Sequence, residues 1–291
     1  MTLVALGLIH CLVIAVALLL PAAARAAVPE ERVELVSLDG TTLQARLFKP
    51  EGKGPFAAVV MLHGCGGLVS SKGEISPRKK MWAEIFAGMG YVALLPDSFR
   101  PRGHGSLCKV KIRPVEPDRE RPYDAYGALK WLQAQPFVKP DKVALAGWSN
   151  GAMTLLWTLK DDAKARPLEL AHDFVVGVGI YPACGDVRKT YYKPKVPVLL
   201  QVGTNDDFTP PKPCLGLVKD VNGRGGPRME IDAYEGAVHG FDHPNAPVRK
   251  VVVRHSSLRT GEKEVLIGSH PESRDKAIRR VSAYLKQALG D

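Results

Sequence analysis

A serine flanked by two glycines follows directly behind a short apolar run of the sequence. Ser149 is the middle residue of Gly147-Trp-Ser-Asn-Gly151, and the run before it is Val143–Ala146. A buried strand that ends in this pattern and continues into a helix is typical of a nucleophile elbow, which lifts the serine hydroxyl clear of the sheet. Because glycine and serine are also common turn residues, the pattern predicts a nucleophile only if its chemical partners follow.

Two later strand ends carry the groups that a nucleophilic serine needs. A serine hydroxyl becomes a nucleophile when a base takes its proton, and an acid holds that base in one tautomer. In α/β-hydrolases the acid and then the histidine follow the serine in the chain, each behind a strand. The apolar run 196–202 leads to Asp206 and Asp207, and the run 229–234 leads to His239. We predict His239 as the base and Asp206 as the acid, with Asp207 as the alternative acid.

A glycine-rich loop behind an earlier apolar run offers donors for the oxygen that becomes negative in such a reaction. The run 56–62 ends in His63-Gly-Cys-Gly-Gly67, and similar loops lend one backbone N–H to the oxyanion hole of esterases. We predict that the backbone N–H groups of Cys65 and Asn150 form this hole. Cys65 is also open to a structural role as a thiol or half-cystine, and the two roles are compatible.

Apolar runs of strand length alternate with stretches of helical spacing along most of the chain. Strands are expected at 32–36, 42–48, 56–62, 91–95, 143–146, 174–181, 196–202 and 228–234, and helices at 80–87, 124–133, 150–159, 214–220 and 269–288. The first two strands form a hairpin around Asp39-Gly40. The alternation that follows predicts an α/β fold with a mostly parallel, twisted sheet and helices on both faces.

Two long stretches lack any periodic pattern. They cover residues 101–121 and 244–268. Irregular stretches of this length inside a compact domain are usually functional or mobile. Because the first begins just behind a strand end, we expect it to form a wall of the substrate pocket.

The beginning of the chain has the pattern of a targeting segment. Residues 3–20 are almost wholly apolar and are followed by Ala24-Arg-Ala26, which predicts a signal peptide over residues 1–26. The alternative is an N-terminal membrane anchor, since the apolar run is nearly long enough to span a bilayer. We expect an exported protein, periplasmic or secreted, in which residues 27–291 form a single domain without stable membrane insertion.

The net charge of the chain, +10, points to no particular partner. Its lysines and arginines are scattered, with local excess only at 78–80, 249–259 and 274–280. No recognised nucleic-acid motif accompanies this charge, which favours a solvated surface. We therefore expect a small-molecule substrate and no nucleic-acid partner.

Four cysteines remain once the predicted signal peptide is removed: Cys65, Cys108, Cys184 and Cys214. An even number of cysteines in an exported protein favours disulfides, and four cysteines allow three pairings. We favour Cys65–Cys108 and Cys184–Cys214, because each pair would tether loops on the side of the sheet where we place the nucleophile. None of the four has the spacing of a zinc site, so we predict no metal and no cofactor.

Together these segments resemble the dienelactone hydrolase family of α/β-hydrolases. The resemblance runs from about Leu43 to Leu289 and rests on residues 63–67, 90–99, 101–103, 147–151, 206–210 and 239–242. It implies a sheet of about eight strands and a catalytic triad of Ser149, Asp206 and His239. The implied activity is that of a serine hydrolase, which cleaves a carboxylic ester or lactone through an acyl-enzyme.

Two departures from the family pattern concern the nucleophile. The best-known members use cysteine where this chain has Ser149, and they carry a glutamate where this chain has Gly64. The fold and the hydrolytic chemistry are therefore expected here, whereas the dienelactone substrate is not.

Arg100 and Arg102 lie near a strand end and are candidates to bind a substrate carboxylate, and Trp148 is a third candidate substrate contact. A peptidase or amidase, an acyl transferase and a non-catalytic binding protein stay open as alternatives.

Overall fold

The computed structural model describes residues 28–254 and 261–290, so the predicted signal peptide lies outside the described residues. The strands are β1 Glu30–Val36, β2 Thr42–Phe48, β3 Phe56–Leu62, β4 Val92–Pro96, β5 Val138–Trp148, β6 Val176–Ile180, β7 Val198–Gly203, β8 Met229–Tyr234, β9 Arg249–Arg254 and β10 Glu262–Ile267. The helices are α1 Pro77–Gly88, α2 Glu120–Gln133, α3 Asn150–Leu159, α4 Gly185–Arg188, α5 Lys212–Asn222 and α6 Pro271–Leu289, with a 3-10 turn at Arg100–Arg102. Among the helices of this described part, none is both long and apolar enough to cross a membrane.

Eight strands form one sheet in the order β1-β2-β4-β3-β5-β6-β7-β8. β1 and β2 are antiparallel, and β2 pairs antiparallel with β4. The remaining six strands, β3 to β8, run parallel to one another. The predicted α/β fold with a mostly parallel sheet of eight strands is therefore confirmed. Since the carboxyl ends of parallel strands meet at one edge, the loops behind β3, β5, β7 and β8 gather there.

Helices cover both faces of this sheet. On one face, α2, α3 and α5 bury residues such as Leu129, Leu155 and Leu217. On the other face, α1 and α6 bury residues such as Trp82 and Leu285. The central strands are buried on both sides, which is why they read as continuous apolar runs in the sequence.

The stretch 244–268, which we expected to be irregular, contains a second sheet of two strands. β9 and β10 pair antiparallel over their whole length. Two backbone N–H groups anchor this hairpin: that of Arg254 donates to the Cys108 carbonyl at 3.1 Å, and that of Leu266 donates to the Asp207 carboxylate at 3.0 Å. Because both anchors come from distant parts of the chain, the local pattern of β9 and β10 did not reveal the hairpin.

Both predicted disulfides are present. Cys65–Cys108 has a Cα–Cα distance of 4.9 Å and Cys184–Cys214 has one of 5.0 Å, within the usual range for cystines. The first joins the loop behind β3 to the irregular stretch ahead of α2. The second joins the start of α4 to α5. The favoured pairing is thus confirmed.

Candidate active site

Ser149 occupies the turn between β5 and α3 in a backbone conformation that side chains rarely adopt. Its φ is 54° and its ψ is −115°, a strained combination that a tight strand-to-helix turn imposes. A Cβ on Gly147 would lie 2.3 Å from the Gly151 carbonyl oxygen, and a Cβ on Gly151 would lie 2.1 Å from the Leu62 carbonyl oxygen. Both glycines of the motif are therefore needed for the close approach of β3, β5 and α3.

Three side chains from different strand ends meet in a line of hydrogen bonds. Ser149 Oγ lies 3.0 Å from His239 Nε2, and His239 Nδ1 lies 2.8 Å from Asp206 Oδ2. All three residues are buried. A carboxylate only accepts, so the proton of a neutral imidazole sits on Nδ1, and Nε2 is left to accept the serine proton. The structure brings the three residues of the predicted triad to hydrogen-bond distance.

Both oxygens of the Asp206 carboxylate are engaged. Oδ1 accepts from the backbone N–H groups of Phe208 at 3.0 Å and Thr209 at 2.8 Å, and Oδ2 faces the histidine. The carboxylate of Asp207 instead accepts from the Leu266 N–H at 3.0 Å and anchors β10. The structure therefore places Asp206, and not the alternative Asp207, against the histidine.

Thr209 belongs to this site and was missed by the sequence analysis. Its Oγ1 lies 2.9 Å from Asp206 Oδ2, 3.1 Å from His239 Nδ1 and 3.1 Å from the carbonyl oxygen of Tyr181. The hydroxyl donates to one of the two oxygens and keeps lone pairs for the imidazole N–H. The Asp-x-x-Thr spacing was the available signal, because turns that begin at Asp fold the following polar groups back onto its carboxylate.

A second buried carboxylate lies close to the triad. Asp242 Oδ2 accepts from the indole N–H groups of Trp82 and Trp148, each at 2.8 Å, and Oδ1 accepts from the Tyr181 hydroxyl at 2.7 Å. Arg78 Nη1 lies 3.8 Å from Oδ1. The indole N–H, the only donor of the Trp148 side chain, is thus bound to Asp242, and Trp148 does not line the cavity beside the nucleophile. We expected Trp148 to contact substrate. Its indole instead joins the turn that carries Ser149 to the segment that carries His239 and Asp242.

Two aromatic rings pack against the imidazole of His239. The ring of Tyr181 lies 4.5 Å from it between centroids, and the ring of Phe208 lies 4.8 Å from it. Burial raises the pKa of the Tyr181 hydroxyl well above its usual value, so this group stays protonated and donates to Asp242. The two rings limit the rotation of the imidazole between its partners.

The predicted oxyanion donors border the same site. Cys65 and Ser149 line one cavity, and Asn150 begins α3. Within the part of the chain that the structure describes, the backbone N–H groups of Cys65 and Asn150 donate to no protein acceptor, so both are available to a substrate oxygen. A Cβ on Gly64 would lie 3.2 Å from the Trp148 carbonyl oxygen. A glutamate at that position would therefore press on the elbow.

His63 orients the peptide group that carries the Cys65 N–H. The Ser98 N–H donates to His63 Nε2 at 3.1 Å, so the proton sits on Nδ1, which donates to the Gly64 carbonyl at 2.8 Å. Burial, together with the charge of Arg121, holds the pKa of His63 well below its usual value, and the ring stays neutral. Because C=O and N–H of a trans peptide point in opposite directions, fixing the Gly64 carbonyl directs the Cys65 N–H away from His63.

The cavity beside Ser149 has a volume of about 370 Å³. The β9–β10 hairpin gives it an apolar wall formed by Val251, Val252, Val253 and Ile267. Its cationic lining residues are Arg78, Lys109 and Arg249, and no Asp or Glu is among the described residues that line it. Lys109 and its neighbour Cys108 belong to the stretch 101–121, which we expected to form a wall of the pocket.

Arg100 and Arg102 do not line this cavity. The Arg102 guanidinium donates to the carboxylates of Asp124 at 2.7 Å and Asp39 at 2.6 Å, and Arg100 donates to the Ser70 carbonyl. The expectation that these arginines bind a substrate carboxylate is therefore corrected, because their donors point to groups of the protein outside the cavity.

Comparison with known proteins agrees with this architecture. A model of the dienelactone hydrolase family matches residues 43–289. A curated relative, the thiohydrolase aneE of Aspergillus aculeatus, is 31% identical over 135 residues, which are 46% of this chain and only 38% of that protein. Two solved structures each share the fold with a TM-score of 0.61: a dienelactone hydrolase from Anabaena variabilis (18% identical, covering 90% of this chain and 99% of that one) and a propionate-bound esterase from Thermogutta terrifontis (17% identical, covering 91% and 95%).

Proposed function

Because the chain belongs to the dienelactone hydrolase family, we propose that it is a serine hydrolase that cleaves a carboxylic ester or lactone. The observation that carries this proposal is the line of hydrogen bonds from Ser149 Oγ through His239 to Asp206, at 3.0 and 2.8 Å. A buried serine in a strained turn, with a base at its hydroxyl and an acid behind that base, is suited to nucleophilic catalysis.

In the first step, the serine hydroxyl attacks the carbonyl carbon of the bound ester. His239 Nε2 takes the proton from Ser149 Oγ, and the Asp206 carboxylate stabilises the imidazolium that forms. The carbonyl oxygen becomes negative and is met by the backbone N–H groups of Cys65 and Asn150. The imidazolium then protonates the leaving alcohol, and an acyl-enzyme remains.

In the second step, water releases the acyl group by the same route. His239 removes a proton from the water, whose oxygen attacks the acyl carbon, and the imidazolium returns the proton to Ser149. With a lactone as substrate, the alcohol stays attached to the acyl group, so one hydroxy acid is the product.

The cavity supports a small substrate with an apolar portion. Its volume of about 370 Å³ is near the lower end for small-molecule sites, and the hairpin valines provide the apolar wall. The relative named a thiohydrolase makes thioesters a second class of substrate to assay.

We also propose that the protein is exported after removal of residues 1–26, a proposal that the two disulfides support because such bonds persist in oxidising compartments.

The test is hydrolysis of p-nitrophenyl esters, simple lactones and thioesters by the mature protein, with Ser149→Ala beside it. We expect Ser149→Ala to lower kcat by about 10⁴-fold or more. The control Ser71→Ala changes an exposed serine and should leave kcat intact. Wild-type Ser149 should also react with a fluorophosphonate probe. Hydrolysis that survives Ser149→Ala, or a serine inert to the probe, would overturn the proposal. Product analysis with amide substrates and alternative acceptors separates a peptidase or an acyl transferase from an esterase.

A further inference from the structure

Arg121 is a fully buried cation, and no carboxylate of residues 28–254 or 261–290 forms an ion pair with it. Its side chain rises from the first turn of α2 with none of its surface exposed. Among the described residues, its hydrogen-bond acceptors are both neutral: the His63 carbonyl oxygen, 2.8 Å from Nη2, and Asn150 Oδ1, 2.5 Å from Nη1. Phe99 lies beneath the guanidinium, 5.2 Å from its carbon to the ring centroid.

Such an arrangement is costly for the fold. Burial lowers the pKa of Arg121 to about 10, although Asp124 and Asp97 oppose that shift. The group therefore remains charged at neutral pH, in a place where an unpaired charge destabilises the folded state. What a guanidinium offers in return is a rigid, planar set of donors that can bind two acceptors at once.

The two acceptors belong to the two halves of the oxyanion hole. The His63 carbonyl begins the loop that carries the Cys65 N–H, and the Asn150 side chain belongs to the residue whose backbone N–H is the second donor. Because arginine can only donate, the amide oxygen of Asn150 must face it. The guanidinium thus joins a loop behind β3 to the first turn of α3.

We propose that Arg121 is a positioning residue, which sets the separation of the Cys65 and Asn150 N–H groups so that both reach one substrate oxygen. This inference rests on the proposed function, because the oxyanion hole has a purpose only if Ser149 attacks a carbonyl. Misplacing donors that act on the transition state lowers kcat and leaves substrate binding largely unchanged.

The experiment compares Arg121→Lys, Asn150→Ala and the double variant. Lysine keeps the charge but offers a single ammonium that cannot hold both acceptors in one plane. We expect each single variant to lower kcat by roughly 10- to 100-fold with KM nearly unchanged, and the double variant to be no slower than the slower single one, because both break the same bridge. Arg46→Lys is the control, since Arg46 is also a buried arginine that binds a carbonyl, that of Gly73, and it lies away from the cavity, where it pairs with Glu30 at 2.8 Å.

Two further measurements keep the result interpretable. Thermal unfolding shows that each variant is folded, and Asn150→Ala, which shortens one side chain at a helix start, tests the bridge even where Arg121→Lys unfolds. The rate constant for phosphonylation of Ser149 reports on the same hole without any ester turnover. A wild type that is phosphonylated but hydrolyses no ester would sink the proposed function alone, and the variants would still be compared by phosphonylation.

The inference is overturned by a folded Arg121→Lys or Asn150→Ala that keeps the wild-type kcat and phosphonylation rate. It is equally overturned if KM rises while kcat holds, or if the two losses multiply in the double variant.

Discussion

The amide group introduced by Asp206→Asn has one favourable orientation in this site. The Oδ1 position receives the N–H groups of Phe208 and Thr209, so the amide oxygen takes that place, since an NH2 group there would face two donors. The NH2 group then points at His239 Nδ1 and donates to it. The imidazole must carry its own proton on Nε2, and that nitrogen can no longer accept the proton of Ser149.

A triad held in this wrong tautomer loses about 10⁴-fold in kcat, which is about 5.4 kcal/mol at 1.36 kcal/mol for each tenfold step. Folding should change far less, because the backbone contacts to the Oδ1 position persist. Asp207→Asn is the matched control: it neutralises the adjacent carboxylate, which contacts β10 through Leu266. We expect that control to alter KM through the hairpin and to leave kcat close to that of the wild type.

The assay is steady-state hydrolysis of p-nitrophenyl acetate at neutral and mildly alkaline pH, with thermal unfolding of each variant measured alongside. A folded Asp206→Asn enzyme that retains most of the wild-type kcat would refute the tautomer argument. A collapse of kcat in Asp207→Asn, with Asp206→Asn active, would show that the acid is the other residue.

Three further perturbations test other parts of the site. Replacing the cystine by Cys65→Ala with Cys108→Ala opens a loop of 43 residues; it should cost about 4 kcal/mol of stability by chain entropy and lower kcat, and an unchanged kcat would show that the cystine does not hold the oxyanion loop. Burial, and then the charge of Arg78, lower the pKa of Lys79 to about 7, whereas the unfolded chain keeps this proton up to about pH 10.4. The free energy of unfolding should therefore fall as the pH drops from 10 to 7. In thermal unfolding scans, Lys79→Met should raise Tm at pH 7 and reduce the dependence of Tm on pH. Val253→Ala removes part of the apolar wall and so widens the cavity. It should raise kcat/KM for butyrate esters relative to kcat/KM for acetate esters by up to about tenfold, and an unchanged ratio of the two would place the acyl group elsewhere.

The parts of the fold that could be predicted are those whose signals are local. The middle strands are covered on both faces, so each is a continuous apolar run, and their alternation with helices leaves a parallel sheet as the natural arrangement. Chain order and strand ends then singled out Ser149, Asp206 and His239, because the carboxyl ends of parallel strands share one edge. The same reasoning led to Cys65–Cys108 and Cys184–Cys214.

The parts that could not be predicted depend on contacts between distant segments. The β9–β10 hairpin is anchored through Asp207 and Cys108, neither of which is near it in sequence. Arg102 was misjudged because its placement at a strand end indicated a ligand, whereas Asp39 and Asp124 bind it. Asp242 belongs to the stretch 239–242 that carries the family resemblance, but its role was not predicted, since its donors come from three separate elements.

The carboxylate of Asp242 also makes the protein its own fluorescent reporter. Of the four tryptophans in the chain, Trp82 and Trp148 are buried 5.7 Å apart and donate to this one acid, while Trp131 and Trp157 are partly buried on the opposite face of the sheet. Displacing the segment that follows His239 would strip both indoles of their shared acceptor and admit water around them. The emission of Trp82 and Trp148 would then shift to longer wavelength, while that of Trp131 and Trp157 would not change. Loosening of the segment behind His239 can therefore be followed by intrinsic fluorescence without any label.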